Sequence, residues 1–234
     1  MFLCNICDIN IQINNKYDMM KKISKDYITE NVIPELILEA SESEIEAEVK
    51  KYPEHSPNYH EAVVIFRKLC EKVLEKNILF FHSAVVKFEG DGYVFAGKSG
   101  VGKSTHAALW EKVMPGAEVI NGDKPLIKFE ADGLYAYGTP WCGKEMMQKN
   151  DKAKISGVCF IEQAKENTIS KLNPVQVIGR IFDQTVYMKE PELNQKMMDL
   201  INRFISEIPF YLLKCDISEE AVRLSYNTMY GGKK

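Results

Sequence analysis

Apolar residues change their spacing near residue 77, and the elements they predict change with it. Residues 2–13, "FLCNICDINIQI", alternate loosely and predict a strand. "NKYDMMKKISKDYI" puts Tyr17, Met20, Ile23 and Tyr27 at helical spacing. "SESEIEAEVKKYP" opens with Ser41 three residues before Glu44, the capping-box spacing that starts a short helix. "HSPNYHEAVVIFRKLCEKVLEK" carries Tyr59, Val63, Phe66, Cys70 and Val73 on one face of a longer helix.

From residue 78 the pattern is strand-rich. "ILFFHSAVVKF" and "YVFAG" read as strands joined by "EGDG", a hairpin signal. "THAALWEKVM" reads as a helix, followed by strands at "AEVIN", "LIKFE" and "LYAYG". "ADG" joins the last two as a second hairpin. "ISGVCFIEQ" and "NTISKL" add strands, "PVQVIGRIFDQ" and "PELNQKMMDLINRFISEI" helices. "FYLLKC" and "SEEAVRLSYNTM" close the chain as strand and helix, with "YGGKK" expected to fray. Hairpins on both sides of one crossover helix predict a mixed sheet. The expected organisation is a small α+β region over 1–76 and an α/β domain over 77–234. No Pro/Gly/Ser run separates them, so the junction is expected to be close-packed.

Composition narrows the class. The chain has 234 residues, 45% hydrophobic and 27% charged, with a formal net charge of −3. That is the profile of a soluble globular protein with enough chain for a good core. Lys and Arg are spread rather than clustered, which argues against nucleic acid as a partner. No apolar run approaches the length of a membrane span, so no membrane partner is expected. The first residues lack a basic region and a small-residue cleavage site, and a cytoplasmic location is the expectation. Of the six cysteines only Cys4 and Cys7 have metal-like or redox-like spacing. A zinc site needs a second such pair, and the Cys4–Cys7 stretch does not open a helix, so all six are read as buried, reduced thiols.

One motif carries chemistry by itself. Gly97-Lys98-Ser99-Gly100-Val101-Gly102-Lys103-Ser104 matches G-x-x-x-x-G-K-[ST] without a mismatch. A chain of this length meets that pattern by chance about once in a hundred. The loop follows "YVFA" and opens "THAALWEKV", the strand–loop–helix setting the mechanism requires. Backbone N–H groups from Gly97 to Thr105 would surround phosphate oxygens, Lys103 would reach the β- and γ-phosphates, and Ser104 would bind Mg²⁺. A glycine-rich turn alone needs neither the lysine nor the serine.

Three further stretches bear on the same chemistry. His82, in "FFHSAVV", reads either as a packed core histidine or as a group near the phosphates. His106 reads as packing or surface. Asp123, in "INGDKPLI", reads as a metal ligand, a general base or a solvated turn residue. "YGTPWCGKE" reads either as a tight turn around a buried Trp141 or as a loop that brings Lys144 to a phosphate and Glu145 to the metal or substrate.

"FFHSAVV", "FAGKSGVGKSTHAALW", "INGDKPLI" and "YGTPWCGKE" together resemble the HPr serine kinase/phosphorylase and ATP-dependent phosphoenolpyruvate carboxykinase superfamily. Within it, they resemble the short stand-alone HPr-kinase-like proteins of anaerobic bacteria. The resemblance covers about residues 78–230 and follows the family's order of motifs. It implies a P-loop domain with a mixed, twisted sheet, Mg²⁺-ATP as cofactor, and transfer of phosphate to a seryl hydroxyl. The oxaloacetate-binding residues of carboxykinases and the substrate-docking segment of HPr kinase find no match. The family also shows two adjacent acids where this chain has Gly122 and Asp123. Asp123 aligns with the Mg²⁺-associated acid, which leaves the proton-accepting role vacant or assigns both roles to Asp123.

The expectation is a Mg²⁺-ATP-dependent kinase acting on a hydroxyl in a peptide, a protein or a small molecule. Lys103 and Asp123 would carry catalysis, with His82, Lys144 and Glu145 beside them, and Ser104 and Asp123 would hold the metal. A nucleotide-binding regulatory or maturation protein with little turnover is the alternative, and a phosphohydrolase or phosphorylase is a third. No base-reading motif separates ATP from GTP, and self-association is left open.

Overall fold

The computed structural model describes residues 1–231. The chain forms two compact units with the break between Lys76 and Asn77. Among the described residues no helix is long and apolar enough to cross a membrane.

The leading unit opens with β1 (Phe2–Ile6) and β2 (Ile9–Asn14), paired antiparallel from Phe2↔Ile13 to Ile6↔Ile9. The single strand expected over 2–13 is therefore a hairpin. Cys7 and Asp8 make the turn with φ of 57° and 61°. A two-residue hairpin turn needs left-handed residues, and neither Cys nor Asp announces that as Asn-Gly would. Next come α1 (Asp18–Ile23), a 3-10 turn (Lys25–Tyr27) and β3 (Leu36–Glu39), which pairs parallel with β2. The helix α2 (Glu42–Lys51) starts at Ser41 with both capping-box bonds to Glu44 in place. The helix α3 (Pro57–Leu74) buries Ala62, Ile65, Phe66, Leu69, Cys70 and Val73. Tyr59, expected on that face, is exposed and meets the rings of His55 and His60.

Glu61 on α3 is fully buried. Its carboxylate accepts the backbone N–H groups of Lys16 and Tyr17, which lead into α1. A buried carboxylate is tolerated there because both oxygens have donors.

The second unit is built on one mixed sheet. Its elements are β4 (Ile78–Phe80), β5 (Ser83–Phe88), β6 (Asp91–Ala96), α4 (Lys103–Val113), β7 (Glu118–Asn121), β8 (Leu126–Glu130) and β9 (Gly133–Tyr137). They continue with β10 (Lys152–Gln163), β11 (Thr168–Lys171), α5 (Pro174–Phe182), α6 (Pro191–Glu207), β12 (Phe210–Cys215) and α7 (Glu219–Gly231). The strand order is β4-β8-β9-β10-β6-β5-β7, with β12 also beside β10 and β11 beside β12. The two hairpins predicted from "EGDG" and "ADG" are β5–β6 and β8–β9, both antiparallel. The strand β10 pairs parallel with β6 and β12. It pairs antiparallel with β9 only over Lys152–Lys154, so its ends serve different neighbours. The expected long strand over "ILFFHSAVVKF" is cut at Phe81–His82. The chain leaves β4 beside β8 and re-enters the sheet as β5, between β6 and β7.

The helices α4 and α7 cover one face of this sheet. Tyr93, Phe95, Trp110, Ala107, Val222 and Met229 are fully buried in that core. His106 belongs to it: the Trp110 indole donates to its Nε2 at 3.1 Å, and burial lowers its pKa to about 4. It is a neutral packing residue.

Glu61→Ala should leave the Lys16 and Tyr17 N–H groups without their acceptor. Loss of about 1.5–3 kcal/mol is expected for bonds to a charged group, read as a lower urea midpoint with an unchanged m value. An unchanged midpoint would contradict the role given to this carboxylate.

Candidate functional site

Residues 97–102 link β6 to α4 as a tight loop. Gly97, Gly100 and Gly102 have φ of 144°, 77° and 105°, a region that side chains rarely enter. A Cβ on Gly97 would also lie 3.0 Å from the Ile161 carbonyl of the neighbouring strand β10. Lys103 begins α4 and is only 8% exposed. Its Nζ donates to the carbonyls of Gly97 at 3.0 Å and Lys98 at 3.3 Å. Burial lowers its pKa and the Asp123 charge opposes that shift. Lys98, Ser99, Gly100 and Thr105 are exposed, while Val101, Gly102 and Ser104 are half-buried.

Asp123 is not a solvated turn residue. Its Oδ1 lies 2.9 Å from His82 Nε2, and Lys124 Nζ contacts Oδ2. Burial raises the carboxyl pKa, but the His82 hydrogen bond and the Lys124 charge outweigh it and lower the value to about 2. His82 reaches this position because the chain breaks between β4 and β5. There the His82 N–H donates to the Gln184 carbonyl at 2.7 Å, and the Ser83 N–H donates to the Asp123 carbonyl at 3.2 Å.

The residue that holds this turn is Asn121, at the end of β7 and fully buried. Its Oδ1 accepts the N–H groups of Asp123 at 2.9 Å and Lys124 at 2.7 Å. Its Nδ2 donates to the carbonyls of Thr139 at 3.0 Å and Trp141 at 3.3 Å. The Thr139 hydroxyl donates to the Lys124 carbonyl at 2.7 Å, closing the link. Sequence reasoning named neither Asn121 nor Lys124. The available signal was an amide ending an apolar strand before Gly-Asp, where side-chain bonding to the next backbone N–H groups is common.

The Gly-Thr-Pro-Trp loop lies against this turn. A Cβ on Gly138 would fall 1.9 Å from the Lys149 carbonyl, so only glycine fits where the returning chain crosses. Trp141 is buried at 7% exposure. Gly143, at φ 79°, passes over Asp123, with its missing Cβ 3.1 Å from Asp123 Cβ. Glu145 comes to the helix that follows the glycine loop: the Ser104 hydroxyl donates to its Oε1 at 3.3 Å. Lys144, between Gly143 and Glu145, is exposed. Gly122 does not have a positive φ. A Cβ there would lie 3.3 Å from both the Cys142 carbonyl and the end of Met147, so the loop fills the space beside it.

The six cysteines, Cys4 and Cys7 included, are buried thiols outside any disulfide. Among the described residues no group of three or more His, Cys, Asp or Glu side chains could hold a metal alone. Ser104, Asp123 and Glu145 offer hard oxygen atoms. Such a set suits Mg²⁺, which commonly takes one or two protein ligands and completes its shell with phosphate and water.

No family model matches the chain, and no curated protein matches it. Among solved structures it is similar to the HPr(Ser) kinase/phosphatase from Coxiella burnetii, at 13% identity and a TM-score of 0.36. The match covers 66% of this chain and 94% of that one. At that level the likeness carries nothing about chemistry, which is read from this chain's own residues.

Two outcomes test the geometry. Gly138→Ala forces a carbon into a backbone carbonyl, so a loss at or above the usual overpacking range of about 1–3 kcal/mol is expected. A melting temperature equal to wild type would refute the crossing. Asp123 has a folded pKa of about 2 against an ordinary 3.8, so the stability it contributes is present above about pH 4 and lost as the pH falls towards 2. Urea midpoints measured between those values should fall more steeply in wild type than in Asp123→Asn. Parallel curves would rule out the paired carboxylate.

Proposed function

We propose that the protein is a cytoplasmic Mg²⁺-ATP-dependent kinase that transfers phosphate to a hydroxyl, a serine in a peptide or protein or an alcohol of a small molecule. The observation that carries this reading is the meeting of two elements. One is a strand–glycine loop–helix with a buried lysine at the helix start. The other is the Asp123 turn, whose covering loop passes over the carboxylate at Gly143 and reaches the helix through the Ser104–Glu145 hydrogen bond. Phosphoryl transfer needs mainly positioning and charge neutralisation, which such a site supplies.

Residues Gly97, Lys98, Ser99, Gly100, Val101 and Gly102, with Lys103, Ser104 and Thr105, form the phosphate cradle in this reading. Lys103 exchanges the Gly97 and Lys98 carbonyls for phosphate oxygens, so its partners change but its charge stays satisfied. Ser104 and Asp123 would hold Mg²⁺, and Glu145, already bonded to Ser104, would orient that hydroxyl. When bound, the ion neutralises charge on the transferring group. His82 holds the Asp123 carboxylate in place. Lys144, exposed on the loop, would reach a phosphate.

A second reading has one observation in its favour. Gly122 stands where a neighbouring acid would accept the hydroxyl proton, and Cys142 and Met147 crowd it. A nucleotide-binding protein with little turnover fits that arrangement.

Lys103→Ala should weaken Mg²⁺-ATP binding at least about tenfold while the fold stays intact, since it loses a charge-assisted contact to phosphate. Calorimetry giving wild-type affinity would overturn the phosphate cradle. Asp123→Asn should reduce Mg²⁺-dependent turnover by about 10²–10⁴ if the carboxylate serves the metal or the proton. Wild-type turnover in that variant would return Asp123 to a purely structural role. Nucleotide binding without any turnover in wild type would favour the second reading.

A further inference from the structure

A cavity of about 490 Å³ opens beside the phosphate loop. One wall is the loop itself, Gly100 to Gly102, and another is α4 through Thr105 and Leu109. The strand β10 contributes Ile161 and Gln163, and the turn after β12 contributes Cys215, Asp216 and Ile217. The wall is mostly apolar, and its volume is in the range of small-ligand sites. Two features of its edge are unusual. Ile217 is 78% exposed at the mouth, a large apolar side chain left in water. Asp216 is held ready as an acceptor: the Ser218 hydroxyl donates to its carboxylate at 2.5 Å, and the Asn167 amide oxygen accepts its backbone N–H at 3.1 Å. The Ser218 bond, followed by the Asn167 bond, lowers its pKa, so it stays ionised at neutral pH.

We propose that this cavity seats the nucleoside half of the nucleotide, an inference that rests on the phosphate-loop reading above. The base lies against Val101, Leu109 and Ile161, with Ile217 closing over its outer edge. Asp216 accepts from amino or hydroxyl hydrogens of the nucleoside. The argument is one of continuity and chemistry. The cavity shares Gly100, Val101 and Gly102 with the loop that would hold the phosphates, so a group covalently attached to those phosphates lies within its reach. A flat heterocycle buries apolar faces and presents N–H donors at its rim, and the walls and the edge of the cavity supply the complements. Inorganic phosphate chains have neither property. Gln163 fixes the geometry, because its side-chain amide donates to the Val101 carbonyl at 3.3 Å and ties the end of β10 to the loop.

The test compares Mg²⁺-ATP, Mg²⁺-GTP and Mg²⁺-tripolyphosphate by calorimetry on the full chain. Wild type should bind at least one of the nucleotides about tenfold or more tighter than tripolyphosphate, the excess expected for burying a base. Ile217→Asp changes an exposed side chain, so the fold is retained. It should remove that excess while leaving tripolyphosphate within about twofold, a difference below half a kcal/mol. Asp216→Asn should weaken the nucleotides and spare tripolyphosphate. Lys103→Ala should weaken all three ligands. Equal affinity of wild type for nucleotides and tripolyphosphate overturns the cavity assignment and leaves the phosphate loop standing. So does an undiminished nucleotide excess in Ile217→Asp. Binding of all three ligands that is unaffected by Lys103→Ala overturns the phosphate-loop reading, and this inference falls with it.

Discussion

The arrangement around Asp123 depends on one buried amide. Asn121 has no access to solvent, so each hydrogen bond it makes is one that water cannot replace. It accepts from the N–H groups of Asp123 and Lys124 and donates to the carbonyls of Thr139 and Trp141. One side chain thereby sets the direction of the acid and the path of the loop above it. Removing it would leave several backbone groups unpaired in a dry region, so the turn and the loop stand or fall together. The same side chain lies one strand away from the strand that leads into the glycine loop, because β5 separates β7 from β6 in the sheet.

The mixed sheet explains how distant stretches of sequence come together. The strand β5 pairs with both β6 and β7, so the start of the glycine loop and the acid turn leave the sheet on either side of it. His82 sits just before β5 and reaches Asp123 at the end of β7. The antiparallel hairpins supply the loops, and β10, parallel to both β6 and β12, lies against Gly97 through Ile161.

Much of this was legible in sequence, for reasons that can be named. Glycines at fixed spacing before Lys103 and Ser104 announce both backbone freedom and charge. The capping box at Ser41 and Glu44 and the "EGDG" turn are local signals, and local signals survive without tertiary context. The hairpin at Cys7 and Asp8 was missed because ordinary residues take left-handed conformations there. The break at Phe81–His82 was missed because an apolar run does not reveal where the chain changes neighbours. Asn121 and Lys124 went unnoticed since their roles are pairings across the fold. Lys144 drew notice by its place in a suggestive loop, and it is exposed there.

The crossing at Gly138 has a consequence for how such a protein can change over time. The Lys149 carbonyl occupies the volume of any side chain there, so the path of the loop is fixed by a position where no substitution is neutral. Lys144 and Met146 are exposed at its tip, where packing constrains them little, while Glu145 between them is tied to Ser104. Variation can therefore accumulate at the tip while its anchor stays constant. A loop built this way lets its exposed tip drift without disturbing the aspartate beneath it.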